Sequence, residues 1–358
     1  MQPQHELSSY GNRYIGQAAL PYAADPHSKG GAPRPQHPVP RAYHQQYNPT
    51  IQGRIHDLKP YKPPVKLGIH ADSCYNYLNK RKYQEPDNED QTPLEEFFER
   101  ESIGQYKVAK IIEKTASYKA QLSPRKPMMK RTKKNLIVLD IDETLVHSEL
   151  IIEQSQEKPE TINKHYDRTI EFPNSNGTVD VYGVRFRPHL FEFIERLARH
   201  YDLAVYTASA QDYADAVLDQ LDPYKKYFIA RLYRDSCIQV NGMNIKNMKN
   251  FDGENVVLVD NLIYSYAFQM HQGIPICPFV DDPMDVELKD LAEILENISS
   301  YDSMAELIQD LLGLNEFYRS LEDLADRTGV AVSPTLNQHA IEVENHFDRT
   351  AGGSLIYF

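Results

Sequence analysis

Four short apolar runs constrain this chain more than any other feature: 136–140 (LIVLD), 203–207 (LAVYT), 255–260 (NVVLVD) and 273–279 (GIPICPF). They are short, and they lack the in-and-out alternation of a half-exposed strand, so each predicts a strand covered on both faces. Between them, 189–200 (HLFEFIERLARH), 211–221 (QDYADAVLDQL) and 284–299 (MDVELKDLAEILENIS) carry apolar residues at helical spacing. The last of these is announced by Asp282 as N-cap and Pro283 at the first helical position. Buried strands alternating with helices predict an α/β fold, a Rossmann-like parallel sheet with helices on both faces. Two small hairpins are expected to interrupt it. One pairs 168–172 with 178–186 through Asn176-Gly177, and the other lies around 229–246 and turns at Asn241-Gly242.

Outside this block the composition changes. Residues 1–92 hold 12 of the 23 prolines and six of the 13 histidines, and their net charge is +3 against −15 for the remainder. With little apolar periodicity, this segment is expected to be a disordered tail whose tyrosines leave room for docking an unknown protein partner. From 93 to 121 the pattern turns helical through Leu94, Phe97, Phe98, Val108, Ile111 and Ile112, with Gly104 expected to split it into two pieces. Residues 119–134 contain seven Lys and Arg and no acid, which suits a solvated linker as well as a nuclear import signal. The organisation expected is therefore a tail (1–92), a helical segment with basic linker (93–134), an α/β domain (135–315), and a helix to about Leu324 that trails into a loose end (316–358). A net charge of −12 argues against a direct nucleic-acid binder. The apolar runs fall far short of the ~20 residues of a membrane span, and the first 20 residues, with no apolar stretch of signal length and one Arg, give no expectation of a secretory or mitochondrial import signal. Cys74, Cys237 and Cys277 are too scattered for a disulfide framework or a zinc site. A soluble protein of the nucleus or cytoplasm is expected.

Ligands of open α/β sheets bind outside the carboxyl ends of the strands. Strand 136–140 runs into Asp140-Ile141-Asp142-Glu143-Thr144, the next strand ends in Thr207-Ala208-Ser209, and the third in Asp260-Asn261, with Lys246 just upstream. Two carboxylates at i and i+2 on extended chain face the same side, with Ile141 turned to the core. One can attack phosphorus while the other handles a proton, provided a cation offsets the repulsion between anions. Magnesium suits such oxygen ligands, and Thr207 and Lys246 can hold the remaining phosphate oxygens. Taken singly, each residue has a plainer reading: a turn aspartate, a helix-capping threonine, a solvated lysine. A calcium loop opening at Asp140 fails, because Thr144, Leu145 and Ile151 stand where such a loop needs Asp or Asn, Gly and Glu.

The segment 136–148, LIVLDIDETLVHS, resembles the signature strand and loop of the haloacid-dehalogenase superfamily, and more narrowly the small phosphatases of the RNA polymerase II C-terminal domain, the NLI-interacting-factor type. The similarity continues through 205–222, 231–237 (RLYRDSC), 255–266 (NVVLVDNLIYSY) and 272–290. It implies a magnesium-dependent protein serine/threonine phosphatase acting on a phosphorylated protein or peptide. By position, Asp140 is then the phosphorylated nucleophile and Asp142 the general acid and base. Asp140, the main-chain carbonyl of Asp142, and Asn261 hold magnesium, Thr207 and Lys246 bind phosphate, and Arg234 lies near the peptide. Departures from the family pattern are Leu262-Ile263 after Asn261, His189 where the family has Gly after Arg-Pro, and Asn247 after Lys246, with Lys249 competing for the lysine's place. They keep open an alternative reading, a catalytically weak scaffold or transcriptional adaptor that retains the fold.

Overall fold

The structure, a computed structural model, describes residues 67–83, 92–115, 130–155, 166–173, 178–251 and 255–328. Its strands are β1 (Leu136–Leu139), β2 (Val146–Ser155), β3 (Arg168–Pro173), β4 (Val179–Phe186), β5 (Asp202–Tyr206), β6 (Phe228–Leu232), β7 (Ile238–Val240), β8 (Met243–Ile245), β9 (Val256–Asp260) and β10 (Gly273–Pro275). Its helices are α1 (Cys74–Tyr83), α2 (Pro93–Lys114), α3 (Leu190–His200), α4 (Gln211–Leu221), α5 (Glu287–Ile298), α6 (Met304–Leu311) and α7 (Leu314–Thr328).

The expected parallel sheet is the one observed, in the order β10-β9-β1-β5-β6. β1, β5 and β9 are buried at every residue, which is what a continuous apolar run buys in a sheet covered on both sides. Leu139 stands level with Val205 on one side and Val259 on the other, so Asp140 emerges level with the ends of both neighbours. From β1 the sheet grows one way through β5 and β6, and the chain then crosses back to add β9 and β10 on the other side. That reversal makes the carboxyl end of β1 the switch point where such sheets bind ligands.

Several boundaries differ from the sequence reading. Gly104 does not divide 93–114: α2 is one helix of 22 residues. It starts in a capping box, with Glu95 N–H donating to Thr92 Oγ1 and Thr92 N–H to Glu95 Oε2, and it buries Phe98, Ile103, Tyr106, Val108, Ala109 and Ile112. Apolar contacts on both sides of the glycine outweigh its ~1 kcal/mol propensity cost. The helix expected at 284 begins at Glu287; Asp282 Oδ1 accepts from Met284 N–H and serves the preceding turn. The run 273–279 is a strand only to Pro275. The first hairpin gains a partner, since β2 pairs with β4 to give the order β2-β4-β3; its Asn176-Gly177 turn lies outside the described residues. The second hairpin is confined to β7 and β8, turning at Asn241 (φ 48°) and Gly242 (φ 80°), because 228–232 joins the main sheet as β6.

The largest correction concerns the tail. Within 1–92, residues 67–83 are ordered and include α1, with Cys74, Tyr75 and Leu78 fully buried. Tyr77 of α1, Phe98 of α2 and Phe317 of α7 form an aromatic cluster with centroids 5.6–6.2 Å apart. Residues 1–66, 84–91, most of the basic linker and the end beyond 328 lie outside the described residues. Among those described, no helix is long and apolar enough to cross a membrane.

Candidate active site

The loop after β1 is wound tightly on itself. Leu145 and Val146 N–H both donate to the Ile141 carbonyl, Glu143 N–H donates to the Val146 carbonyl, and Glu143 takes a left-handed φ of 54°. That conformation costs a non-glycine residue about 1 kcal/mol, borne here by the buried anchors Ile141 and Leu145. Arg187 clamps the loop from behind. It is fully buried, donates to the carbonyls of Thr144 (3.0 Å) and Cys277 (2.7 Å), and pairs with both oxygens of Asp285. Two residues on, His189 adopts φ 64°, the left-handed conformation that suits the glycine of the family pattern.

Asp140 and Asp142 therefore project together at the sheet's edge, both nine-tenths buried or more. Lys246 Nζ lies 2.5 Å from Asp140 Oδ1 and 2.5 Å from Asp260 Oδ2. Lys246, not Lys249, fills the site. Burial opposes its charge, yet the Asp140 and Asp260 carboxylates raise its pKa and hold it protonated. On its other side Asp140 meets Thr144, whose hydroxyl is 3.4 Å from Asp140 Oδ2 and 3.3 Å from Asn261 Oδ1. Thr207, fully buried at the end of β5, accepts from Ser209 N–H at 3.0 Å. Arg234 stands apart from this group: it is exposed, and its Nε donates to the Ala208 carbonyl.

The sequence reading named these residues but assigned no role to Asp260, Ser209, Thr144 or Tyr213. Ser209 donates to Asp142 Oδ2 at 2.6 Å and Tyr213 to Asp142 Oδ1 at 2.5 Å. Tyr213 lies in the first turn of α4 and Ser209 just ahead of its N-cap Ala210, so the strand end and the helix start bring both to one carboxylate; their place just past a strand end was the available signal.

Among the described residues no three His, Cys, Asp or Glu side chains gather into a metal-binding cluster. The set expected for magnesium does not need one, being a carboxylate, an amide oxygen and a main-chain carbonyl. The donors fit a hard divalent cation on two counts. All are oxygens, with Asp140 Oδ2 and Asn261 Oδ1 flanking the same hydroxyl and Lys246 engaged at the other oxygen of Asp140. In addition, Asp140 and Asp260 share a single ammonium, and the Asp142 carboxylate stands near Asp140 without a cation of its own. Burial pushes Asp140 above the usual carboxylate range; Lys246 pulls it back, while Asp260 and Asp142 push it further up. This imbalance favours an added positive charge.

Residues 135–305 match the model of the NLI interacting factor-like phosphatases. The chain is 36% identical over 174 residues to Phosphatase Herzog of Drosophila melanogaster, covering 48% of this chain and 46% of that protein. It is 33% identical over 175 residues to the human carboxy-terminal domain RNA polymerase II polypeptide A small phosphatase 1, covering 48% and 62%. The match thus spans roughly half the length of these relatives. Among solved structures, Fcp1, an essential RNA polymerase II CTD phosphatase, aligns at a TM-score of 0.34 and 19% identity over 62% of this chain and 67% of that one. Through residues 135–305, just under half of its length, with the Asp-Ile-Asp-Glu-Thr loop at the end of its central strand, this chain is similar to the NLI interacting factor-like phosphatase family.

Proposed function

We propose that this chain is a magnesium-dependent protein serine/threonine phosphatase working through an aspartyl-phosphate. The observation that carries this reading is the convergence of Asp140, Lys246 and Asn261 at the ends of β1 and β9, with Asp142 beside them. In the first step an Asp140 oxygen bonds to phosphorus in line as the bond from phosphorus to the serine oxygen breaks, and Asp142 gives that oxygen its proton. In the second step water attacks phosphorus, Asp142 takes the water's proton, and the Asp140–phosphorus bond breaks. Lys246, and Thr207 through its hydroxyl, stabilise the phosphoryl oxygens as charge builds on them. A bound magnesium, held by Asp140, Asn261 and the Asp142 carbonyl, supplies charge neutralisation between the two anions. Arg234, exposed beside the β5 end, meets the peptide in this reading. The human relative's name makes the polymerase C-terminal domain the first substrate to try, and a compartment shared with it, the nucleus, follows from the same reading.

The test is release of phosphate from phosphoserine heptad peptides by the full chain, with and without magnesium, beside Asp140→Asn. Magnesium-dependent release, lost on chelation and lowered at least ~100-fold by Asp140→Asn, is the expected result. A folded wild type that releases nothing, even from an aryl phosphate, would establish the non-catalytic scaffold instead.

A further inference from the structure

Asp140 and Asp142 stand two residues apart, yet the fold gives them chemically different partners. Asp140 Oδ1 faces an ammonium, which can only donate and favours a fixed negative charge. Asp142 faces two hydroxyls, Tyr213 at Oδ1 and Ser209 at Oδ2. A hydroxyl both donates and accepts, so a carboxyl between two of them keeps partners with or without its own proton. A permanent cation there would oppose the protonated form that the first chemical step requires.

The two hydroxyls are themselves fixed. Ser209 N–H donates to Thr207 Oγ1, and its carbonyl accepts from Arg234 N–H at 3.0 Å. Tyr213 packs its ring against Phe172 of β3 (6.3 Å) and Tyr182 of β4 (6.0 Å), which in turn meet edge to face at 5.6 Å. The two donated bonds occupy one lone-pair site on each oxygen of Asp142 and leave one on each for the reacting atoms.

We propose that Ser209 and Tyr213 are positioning residues that lock the rotamer of Asp142 for proton transfer, and that the β2-β4-β3 sheet backs this lock through Phe172 and Tyr182. The inference rests on the phosphatase reading and goes beyond it, since it makes a helix start and an inserted sheet part of the proton-transfer apparatus.

The experiment compares kcat/KM of the full chain with magnesium on a phosphoserine peptide and on p-nitrophenyl phosphate, whose leaving group departs without a proton. Wild type, Tyr213→Phe, Ser209→Ala and, as reference, Asp142→Asn are measured, with far-UV circular dichroism and thermal melts to confirm folding. Loss of a hydroxyl should lower the peptide value about 10-fold, within the ~10²–10⁴-fold worth of the whole acid–base group. The aryl phosphate value should fall less than about 3-fold, so each variant reproduces the asymmetry of Asp142→Asn in smaller form. KM should hardly move. Equal losses on both substrates, or no loss in either folded variant, overturn the positioning role while leaving the phosphatase intact. If Tyr213→Phe does not fold, Ser209→Ala, the smaller change, decides. A wild type inert toward both phosphates overturns the phosphatase reading and this inference with it.

Discussion

At the scale of single residues, Lys246 carries the most consequence. It is 1% exposed, yet its ammonium is shared by Asp140 and Asp260. Removing one partner of a buried ion pair costs about 3–5 kcal/mol, because the charge left behind has neither water nor counterion. Lys246→Met, close in length, should therefore destabilise the protein by about that much in urea unfolding at pH 7. Adding Asp260→Asn to it should return part of the stability but none of any turnover, since the cation facing Asp140 is still missing. If the double variant were no more stable than the single, the loss would come from packing rather than from unpaired charge. The sequence named this lysine from its place just ahead of a strand and left Lys249 as rival. Only the fold separates them: the turn at Asn247, whose side chain accepts from Lys249 N–H, sends the two lysines to different places.

At the scale of elements, legibility followed burial. β1, β5 and β9 are covered on both faces, which writes an unbroken apolar run, and α4 was placed to the residue because its buried positions Ala214, Val217, Leu218 and Leu221 keep one helical face. β2 went unread because its start spends polar residues on local partners: His147 lies between Glu143 and Glu149, and Arg185 and Tyr166 both donate to Glu149. β6 is an edge strand in which only Phe228 is buried, too little to mark a short segment. Gly104 shows the opposite error, a local breaker read too strongly. A Cβ built there meets nothing within 4 Å, and the residue lies inside a continuous helix. Gly104→Ala should therefore raise stability by about 0.5–1 kcal/mol, by restricting the unfolded chain without cost to the folded one. Thermal melts of the two proteins decide it; a lower melting temperature for the alanine variant would mean that the helix needs the glycine's freedom.

At the scale of the whole molecule, what composition hid is the attachment of 67–83 to the α/β domain. α5 presents Glu287, Asp290 and Glu293 at three-residue intervals, a spacing that reads as an ordinary solvated helix face. In the structure these carboxylates accept the main-chain N–H groups of Cys74 (2.6 Å), His70 (2.7 Å) and Gly68 (2.6 Å), more than 200 residues away in sequence. No local pattern encodes such a pairing. The innermost member, Glu287, also accepts from Cys74 Sγ. Burial pushes its carboxyl from the ordinary 4.5 up to about 7; Arg187 and the Cys74 bonds oppose this, and Asp285 adds to it. The folded protein thus holds a proton that the unfolded chain releases near pH 4.5. The stability this group contributes is complete below that pH and is lost as pH rises toward 7, by about 3 kcal/mol at most. Glutamine mimics the protonated acid, so Glu287→Gln should match wild type near pH 4.5 and gain on it as pH rises to 8. Urea unfolding of both proteins across that range measures the difference, which cancels every other titrating group common to the two. A gap that stays constant, or that closes with rising pH, would show that Glu287 is ionised where it meets Cys74, and that the tail is held to the domain by charge rather than by a shared proton.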